Sequence, residues 1–207
     1  SGVIQNVMCG TLNPAGLIKM GSGSLVLSGA NTFNGGVQLN EGTLILGSSS
    51  SPSGAGVALV PGNTGPLGIG TLTIAGGTTL MSGSAIQTVS NNVVVNGDFT
   101  VGGPVAANGV ILNGTVNLGR ARRTITVSSP QNVSTLGGAV SGTAGLAKAG
   151  NGVLKLGSTA NDYGGSTTIL GGLLQLGAAG VIPDGSALIV AAGAAFDLNG
   201  KNETLGS

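Results

Sequence analysis

Charged and aromatic side chains are scarce in this 207-residue sequence. Only 6% of the residues are charged and 2% are aromatic, and the chain contains neither His nor Trp. Seven Lys and Arg residues stand against six Asp and Glu residues. Because nucleic-acid binding needs a basic surface that contacts several phosphates, we expect no nucleic-acid partner. The absence of histidine also removes the side chain that most often acts in proton transfer and metal binding.

Cysteine and long apolar segments are nearly absent as well. Cys9 is the single cysteine, so neither an intrachain disulfide nor a thiolate metal cluster is available, and the role of Cys9 stays open. The longest apolar run, 187–196, has about half of the roughly 20 residues that a membrane-spanning helix needs. The N-terminus has no signal-peptide pattern, so a secretion signal is expected outside this sequence.

Glycine and aliphatic residues dominate instead. The chain has 42 glycines, and 41% of its residues are apolar, which separates it from disordered sequences. Short alternating runs, among them 24–27, 43–46, 167–170 and 173–176, are each closed by Gly, Asn, Ser or Pro. Such runs predict strands, and no stretch favours a helix, so we predict an all-β fold.

A long sequence unit occurs twice. Residues 16–47 read GLIKMGSGSLVLSGANTFNGGVQLNEGTLILG, and residues 145–177 read GLAKAGNGVLKLGSTANDYGGSTTILGGLLQLG. The glycines, leucines and one lysine of the two units align, and Phe33 aligns with Tyr163. The offset of about 130 residues is too long for one coil of a solenoid, so it indicates a higher-order unit of several coils.

Stacked coils explain the recurring leucines and glycines. Inward residues of parallel strands about 4.8 Å apart stack on the next coil, so we expect apolar ladders formed by Leu25, Leu27, Leu44 and Leu46. Corners need positive φ, which assigns the Gly and Asn of GANTFNGG and TANDYGG to turns. A β-sandwich usually has aromatic core residues and is disfavoured. At the roughly 22 residues per coil of known β-helices, the chain gives roughly nine coils and a rod about 45 Å long.

The two units, 16–47 and 145–177, closely resemble the autotransporter-associated β-strand repeat. Gly-rich stretches such as 65–77 and 91–103 resemble the sequence usually found between such repeats. The resemblance implies a right-handed parallel β-helix from the passenger region of a bacterial protein exported by type V secretion. It further implies that residues 1–207 form a single solenoid segment, that the protein lies at the bacterial cell surface, and that its partners include a C-terminal outer-membrane β-barrel outside this chain.

Two functions of different classes follow from this reading. The first is a structural stalk or spacer that assists secretion by stepwise folding of its coils and displays distal domains. The second is an adhesive or self-associating module, with end-to-end stacking of copies or a surface glycan as its partner. Neither end of the chain looks like a cap, so further coils or another copy are expected at both ends.

The acidic residues are the candidates for catalysis or metal binding. They are Glu41, Asp98, Asp162, Asp184, Asp197 and Glu203. Asp162 and Asp184 lie 22 residues apart, a coil spacing that could align them, but both stand in turn contexts where Asp bonds its own backbone. We therefore predict no catalytic, cofactor-binding or metal site, and no enzymatic activity.

Three other groups of residues are candidates for surface binding. Arg120, Arg122 and Arg123 are predicted to form a solvated rim, with a contact point for an anionic glycan or lipopolysaccharide as the alternative. The threonines at 71–73, 124–126 and 167–168 are too far apart in the chain for the regular array that ice or crystal binding needs. The Ser-rich stretch 48–68 is the best candidate for an excursion from the coil, either an adhesive loop or a disordered one.

Overall fold

The computed structural model describes residues 15–52, 63–104 and 108–206. Cys9 and the middle of the Ser-rich stretch therefore lie outside the described residues. The described part contains strands and turns but no helix, and thus none that is long and apolar enough to cross a membrane. Within these three ranges, twenty strands form three sheets, and every pairing between these strands is parallel.

Each sheet forms one face of a three-sided coil. Face 1 contains β1 (Leu17–Lys19), β3 (Val37–Leu39), β5 (Leu72–Ile74), β8 (Val93–Val95), β11 (Val116–Asn117) and β14 (Val140–Ser141). Face 2 contains β2 (Ser24–Leu27), β4 (Thr43–Leu46), β6 (Thr79–Ser82), β9 (Phe99–Gly102), β12 (Arg123–Thr126), β15 (Leu146–Ala149), β17 (Thr167–Ile169) and β19 (Leu188–Val190). Face 3 contains β7 (Gln87–Val89), β10 (Val110–Leu112), β13 (Val133–Leu136), β16 (Val153–Leu156), β18 (Leu173–Leu176) and β20 (Ala195–Asp197).

The predicted all-β parallel solenoid is confirmed. The eight strands of face 2 correspond to about eight coils, close to the roughly nine that the sequence predicted. From β5 to β16, the chain passes from face 1 to face 2 and then to face 3 before it returns one layer further along, whereas β1 to β4 lie on faces 1 and 2 only and β17 to β20 on faces 2 and 3 only. Each residue therefore packs mainly against its own coil and the two adjacent coils, as in other solenoids.

Apolar ladders fill the interior of the coil. Leu25 pairs with Leu44 and Leu27 with Leu46, which confirms the predicted ladders. Leu44 and Leu46 are fully buried, and Leu80 continues the ladder as the partner of Leu44 in the next coil. The strand period of two turns the intervening residues outward. Burial of one such leucine contributes about 1.5–3 kcal/mol to folding.

Corner asparagines do not take the conformation that the sequence suggested. Among the described non-glycine residues, only Asn199 has a positive φ, so the prediction is wrong for Asn31 and Asn161. These two side chains instead donate hydrogen bonds from Nδ2 to the carbonyl oxygens of Pro66, at 2.8 Å, and Val181, at 2.7 Å, in the next coil. Asparagine is therefore used at these corners to satisfy backbone groups of a neighbouring layer.

The Ser-rich stretch does leave the coil, as predicted. Thr43 and Thr79 are stacked partners 36 residues apart, whereas Thr79 and Thr100 are stacked partners 21 residues apart. The additional residues depart and return at an antiparallel bridge between Ser51 and Thr64, whose two N–O distances are 2.7 and 3.1 Å. Residues 53–62 lie outside the described part, so their adhesive or disordered character stays a prediction.

The two sequence units lie on different pairs of faces. In the first unit, β1 and β3 lie on face 1, and each is followed along the chain by a strand of face 2, β2 and β4 respectively. In the second unit, β15 and β17 lie on face 2, and each is followed along the chain by a strand of face 3, β16 and β18 respectively. The unit therefore specifies a strand, a corner and a second strand, repeated over two coils, and it does so on two different pairs of faces. The continuity of one segment over residues 1–207 stays a prediction.

Candidate functional site: the lysine corners

The aligned lysine of the two units occupies an inward position in each case. Lys19 pairs with Leu39, and Lys148 lies between Ile125 and Ile169 in the stack of face 2. Both side chains are buried, with exposed fractions of 7% for Lys19 and 1% for Lys148. A lysine is rarely buried to this extent unless its ammonium group has partners.

The partners are backbone carbonyl oxygens at the corner that follows the strand. Lys148 Nζ donates to the carbonyl oxygens of Ala149 at 3.0 Å, Gly150 at 2.7 Å and Gly171 at 2.9 Å. Because an ammonium group has three donors, all of its hydrogen-bonding capacity is used. Two of the acceptors belong to the same coil and the third to the next coil, so the ammonium group joins two layers.

The first unit repeats this geometry. Lys19 Nζ donates to the carbonyl oxygens of Met20 at 2.9 Å, Gly21 at 2.5 Å and Glu41 at 3.0 Å. We call each of these arrangements a lysine corner: Lys19 with Met20, Gly21 and Glu41, and Lys148 with Ala149, Gly150 and Gly171. The same contacts at two places, on two different faces, show that the unit's sequence specifies them.

Glycines allow the two layers of a lysine corner to approach. Gly21 and Gly150 take φ values of 73° and 76°, and Gly42 and Gly172 in the following coil take 70° and 63°. These values lie in the left-handed region that glycine adopts without steric cost. A Cβ atom at Gly172 would also overlap the carbonyl oxygen of Gly150. Small residues at these positions therefore bring the second-layer carbonyl within reach of the lysine.

Burial changes the acid–base behaviour of the second corner. Desolvation lowers the pKa of Lys148 from 10.5 to about 8, because an ammonium group is less favourable away from water. No carboxylate compensates at this corner, where Gly171 stands at the position of Glu41. At the first corner, the Glu41 carboxylate accepts a hydrogen bond from the Gly21 backbone N–H at 2.7 Å.

A buried hydroxyl chain stands near the second unit. Tyr163, the counterpart of the buried Phe33, forms a 2.7 Å hydrogen bond with the hydroxyl of Thr167. Thr167 in turn contacts Ser186 at 3.0 Å, and Ser186 donates to the carbonyl oxygen of Gly165 at 2.9 Å. Burial raises the pKa of Tyr163 to about 12, against the opposing effect of the Thr167 hydrogen bond.

Most of the acidic side chains bond to backbone N–H groups. Asp98 accepts from Thr124 at 2.8 Å, and Glu203 accepts from Val181 at 3.0 Å. Asp197 accepts from Gln175 and from the backbone N–H of Asn199, and these two bonds lower its pKa. Asp162 and Asp184, which the sequence suggested as a pair, are both exposed. No three Asp, Glu, His or Cys side chains within the described ranges are grouped to hold a metal ion.

The arginine cluster divides into two environments. Arg120 and Arg122 are exposed, as expected for a solvated rim. That expectation is wrong for Arg123, which is half-buried and donates from Nε to the carbonyl oxygens of Val95 at 3.1 Å and Leu118 at 3.0 Å. The threonines also divide, since 71–73 extend into face 1 and 124–126 and 167–168 lie on face 2.

Sequence reasoning aligned the two lysines but did not assign them a role. The signal was present, because Lys19 is two residues from Leu17 and therefore on the same side of the strand. Period two predicts an inward lysine at this position. The three carbonyl partners could not be read from the sequence, since they depend on the close approach of two corners.

Comparison with known proteins supports this repeat-based description. Residues 17–46 and 146–176 match the passenger-associated-transport-repeat family, and each match contains one lysine corner. The chain is also 32% identical over 160 residues to the adhesin BmaC autotransporter of Brucella suis. This chain carries the repeats of the autotransporter passenger family. The relative is a much longer protein, since the alignment covers 77% of this chain and 4% of the relative. No solved structure matches. Passenger repeats of this kind imply a surface or extracellular location.

Proposed function

We propose that this segment is a structural stalk in the passenger of a bacterial autotransporter. The observation that carries the proposal is the pair of lysine corners, each of which joins one coil to the next through a buried ammonium group. Coils related in this way form a rod whose length is set by their number, at about 4.8 Å per coil. Such a rod separates whatever lies at its two ends.

The same contacts support stepwise folding during secretion. Lys148 bonds two carbonyl groups of its own coil and one of the next coil, so its last bond forms only when that next coil is added. Each added coil then contributes buried leucines and strand hydrogen bonds to the layer already formed. In an autotransporter, this growth at the cell surface would favour outward movement through the outer-membrane barrel that the family resemblance implies. A role without catalysis agrees with the adhesin name of the relative.

Electron microscopy of the purified fragment over a concentration series, together with small-angle scattering, tests the stalk. Isolated rods about 40 Å long, the length of eight coils at the strand spacing, are expected at all concentrations. Long filaments with an axial repeat near that length would contradict the stalk proposal and favour self-assembly as the function. A secretion assay of the parent protein with Lys19→Met and Lys148→Met tests the proposed role of stepwise folding in secretion, and Lys155→Met is the control.

An adhesive or self-associating module is the second candidate. Face 3 presents an outward apolar row in which Val133 pairs with Val153 and Val153 with Leu173. Val133 is 39% exposed, and Val153 and Leu173 are half-buried. Replacement of Val133 and Leu173 by Ser is expected to abolish concentration-dependent association if this row is the contact surface. Unchanged association by analytical ultracentrifugation would exclude the row from that role.

A further inference from the structure

Asparagine is followed directly by glycine at six places in the chain. These steps are 34–35, 96–97, 108–109, 113–114, 151–152 and 199–200, and all of them lie in the described ranges. Such a step is chemically labile, because glycine has no side chain to hinder attack of its backbone nitrogen on the asparagine amide carbon. A fold slows the attack where a hydrogen bond or burial holds one of the two groups in place.

Two of the six steps are held through the glycine nitrogen. The backbone N–H of Gly35 donates to the carbonyl oxygen of Ala15 at 2.9 Å. The backbone N–H of Gly152 donates to the carbonyl oxygen of Val127 at 2.7 Å. At both places the nitrogen must give up a hydrogen bond before it can attack, so these steps are protected although Asn151 is exposed.

Three further steps are held through the asparagine. The side chain of Asn199 donates from Nδ2 to the carbonyl oxygen of Leu176 at 3.0 Å, which fixes the amide group. Asn108 and Asn113 are buried, with exposed fractions of 7% and 8%. Their side chains are packed in the coil and lack the freedom to rotate onto the following nitrogen.

The step at Asn96 and Gly97 has neither restraint. It forms the corner between β8 and β9, where Asn96 is exposed and Gly97 is half-buried. Within the described part of the chain, the Asn96 side chain and the Gly97 N–H take part in no hydrogen bond. The backbone N–H of Asn96 donates to the carbonyl oxygen of Ile74 at 2.8 Å, which anchors the corner and leaves the side chain in water. Both reacting groups are therefore available.

We propose that Asn96 is a site of spontaneous covalent modification, where deamidation produces aspartate and isoaspartate. The Gly97 nitrogen forms a bond to Asn96 Cγ and gives up its proton, and the Cγ–Nδ2 bond breaks so that Nδ2 leaves as ammonia. Water then opens the resulting succinimide at one of its two carbonyl carbons. Opening at Cγ gives aspartate, whereas opening at the main-chain carbonyl gives isoaspartate, whose main chain runs through Cβ and Cγ.

Isoaspartate at this corner would loosen the contact of three coils. Asp98, two residues further along, accepts from the Gly77 N–H through its main-chain oxygen and from the Thr124 N–H through Oδ1, each at 2.8 Å. Gly77 belongs to the preceding coil and Thr124 to the following one. A Cβ atom at Gly97 would overlap Gly76, so the stacked corners are already in close contact. An extra main-chain carbon would therefore displace Asp98 from its partners.

Ageing of the purified chain in mildly alkaline buffer tests the proposal. Peptide mapping by mass spectrometry, with isoaspartate methyltransferase labelling, measures the rate at each step. In the folded chain, Asn96 is expected to react at least about tenfold faster than Asn151 or Asn199, because their hydrogen bonds must break first. In urea the three steps should react at similar rates. A rate at Asn96 no faster than at Asn151 in the folded chain would overturn the proposal.

Asn96→Gln is the matched variant, because a longer side chain closes the cyclic imide far more slowly and the exposed position tolerates it. The wild type is expected to lose about 2–4 °C of its thermal unfolding midpoint on ageing, as is the control Asn151→Gln, whereas Asn96→Gln should keep its midpoint. Fresh Asn96→Asp carries the new charge without the longer main chain and should unfold like the fresh wild type. Equal losses in Asn96→Gln and the wild type would overturn the loosening of the corner. The stalk function does not depend on this result, because rod length and secretion are measured separately.

Discussion

The ammonium group of Lys148 lies 2.9 Å from the carbonyl oxygen of Gly171, 23 residues further along the chain and one layer up the solenoid. Lys19 makes the equivalent contact with the carbonyl oxygen of Glu41 at 3.0 Å. A positive charge is thus solvated inside an almost uncharged molecule by backbone dipoles of two coils. This relationship leads to predictions about stability and its dependence on pH.

Replacement of Lys148 by Met should destabilise the fold by about 2 kcal/mol. Methionine fills similar volume but leaves three carbonyl oxygens without their charged donor, and such hydrogen bonds contribute about 1.5–3 kcal/mol each before the cost of burying the charge. Urea denaturation followed by circular dichroism measures the change. Lys155→Met, on an outward position of face 3, should change the free energy of unfolding by less than about 0.5 kcal/mol. Equal effects at both positions would show that the lysine corner does not contribute.

The free energy of unfolding should rise with pH between about pH 8 and pH 10. Burial lowers the pKa of Lys148 from 10.5 to about 8, so in this range the unfolded chain binds more protons than the folded chain. Stability then increases with pH, with the full penalty of the buried charge present below pH 8. Urea titrations at several pH values measure the slope. The slope should be absent in Lys148→Met, and a wild-type slope of zero would contradict the prediction.

The single tyrosine of the chain should ionise late. Tyr163 is the only tyrosine, and tryptophan is absent, so phenolate absorbance reports on this residue alone. Burial raises its pKa from 10.0 to about 12, and we expect the folded protein to titrate near that value and the urea-unfolded protein near 10. The stability from the protonated phenol is present below pH 10 and is lost as the pH rises towards 12. A titration midpoint near pH 10 for the folded protein would contradict the prediction, because it would mean that the phenol group is exposed to water.

An aspartate at an inward leucine position should unfold its coil. Leu44 and Leu174 are fully buried, so Leu44→Asp or Leu174→Asp would bury an unpaired charge at a cost of about 3 kcal/mol or more. Leu173→Asp is the matched control, because Leu173 is the adjacent outward residue and is half-buried. Thermal unfolding measures the difference. An unchanged midpoint for Leu174→Asp would mean that this leucine does not face the interior.

Close contact between layers should make Gly109 irreplaceable. A Cβ atom at Gly109 would overlap the carbonyl oxygen of Val133 in the next coil, and relief of such overlap typically costs about 1–3 kcal/mol. Gly109→Ala is therefore expected to lower the unfolding midpoint clearly. At Gly185 a Cβ atom would meet nothing within 4 Å, and φ is not positive, so Gly185→Ala should be neutral or slightly stabilising. Equal midpoints for the two variants would argue against the tight stacking.

The ladders and the excursion were predictable from the sequence, whereas the corner contacts were not. Alternation around Leu44 and Leu46 indicated which residues face inward, because strand period depends only on local geometry. The departure of the chain near Ser51 followed from its composition. The hydrogen-bond partners of Asn31, Lys148 and Arg123 could not be predicted from the sequence. Each of these side chains bonds a carbonyl oxygen of another coil, and which residue lies there depends on the number of residues in each coil.

In the proposed stalk, the shift of the second unit by one face would affect how the rod carries mechanical load. If both units lay on the same faces, Lys19 and Lys148 would reinforce a single edge, and the rod would bend more readily towards one direction. Because the unit moves from faces 1 and 2 to faces 2 and 3, the reinforced corners lie at two different edges of the prism. In the proposed stalk, resistance to bending would thereby be shared between two planes.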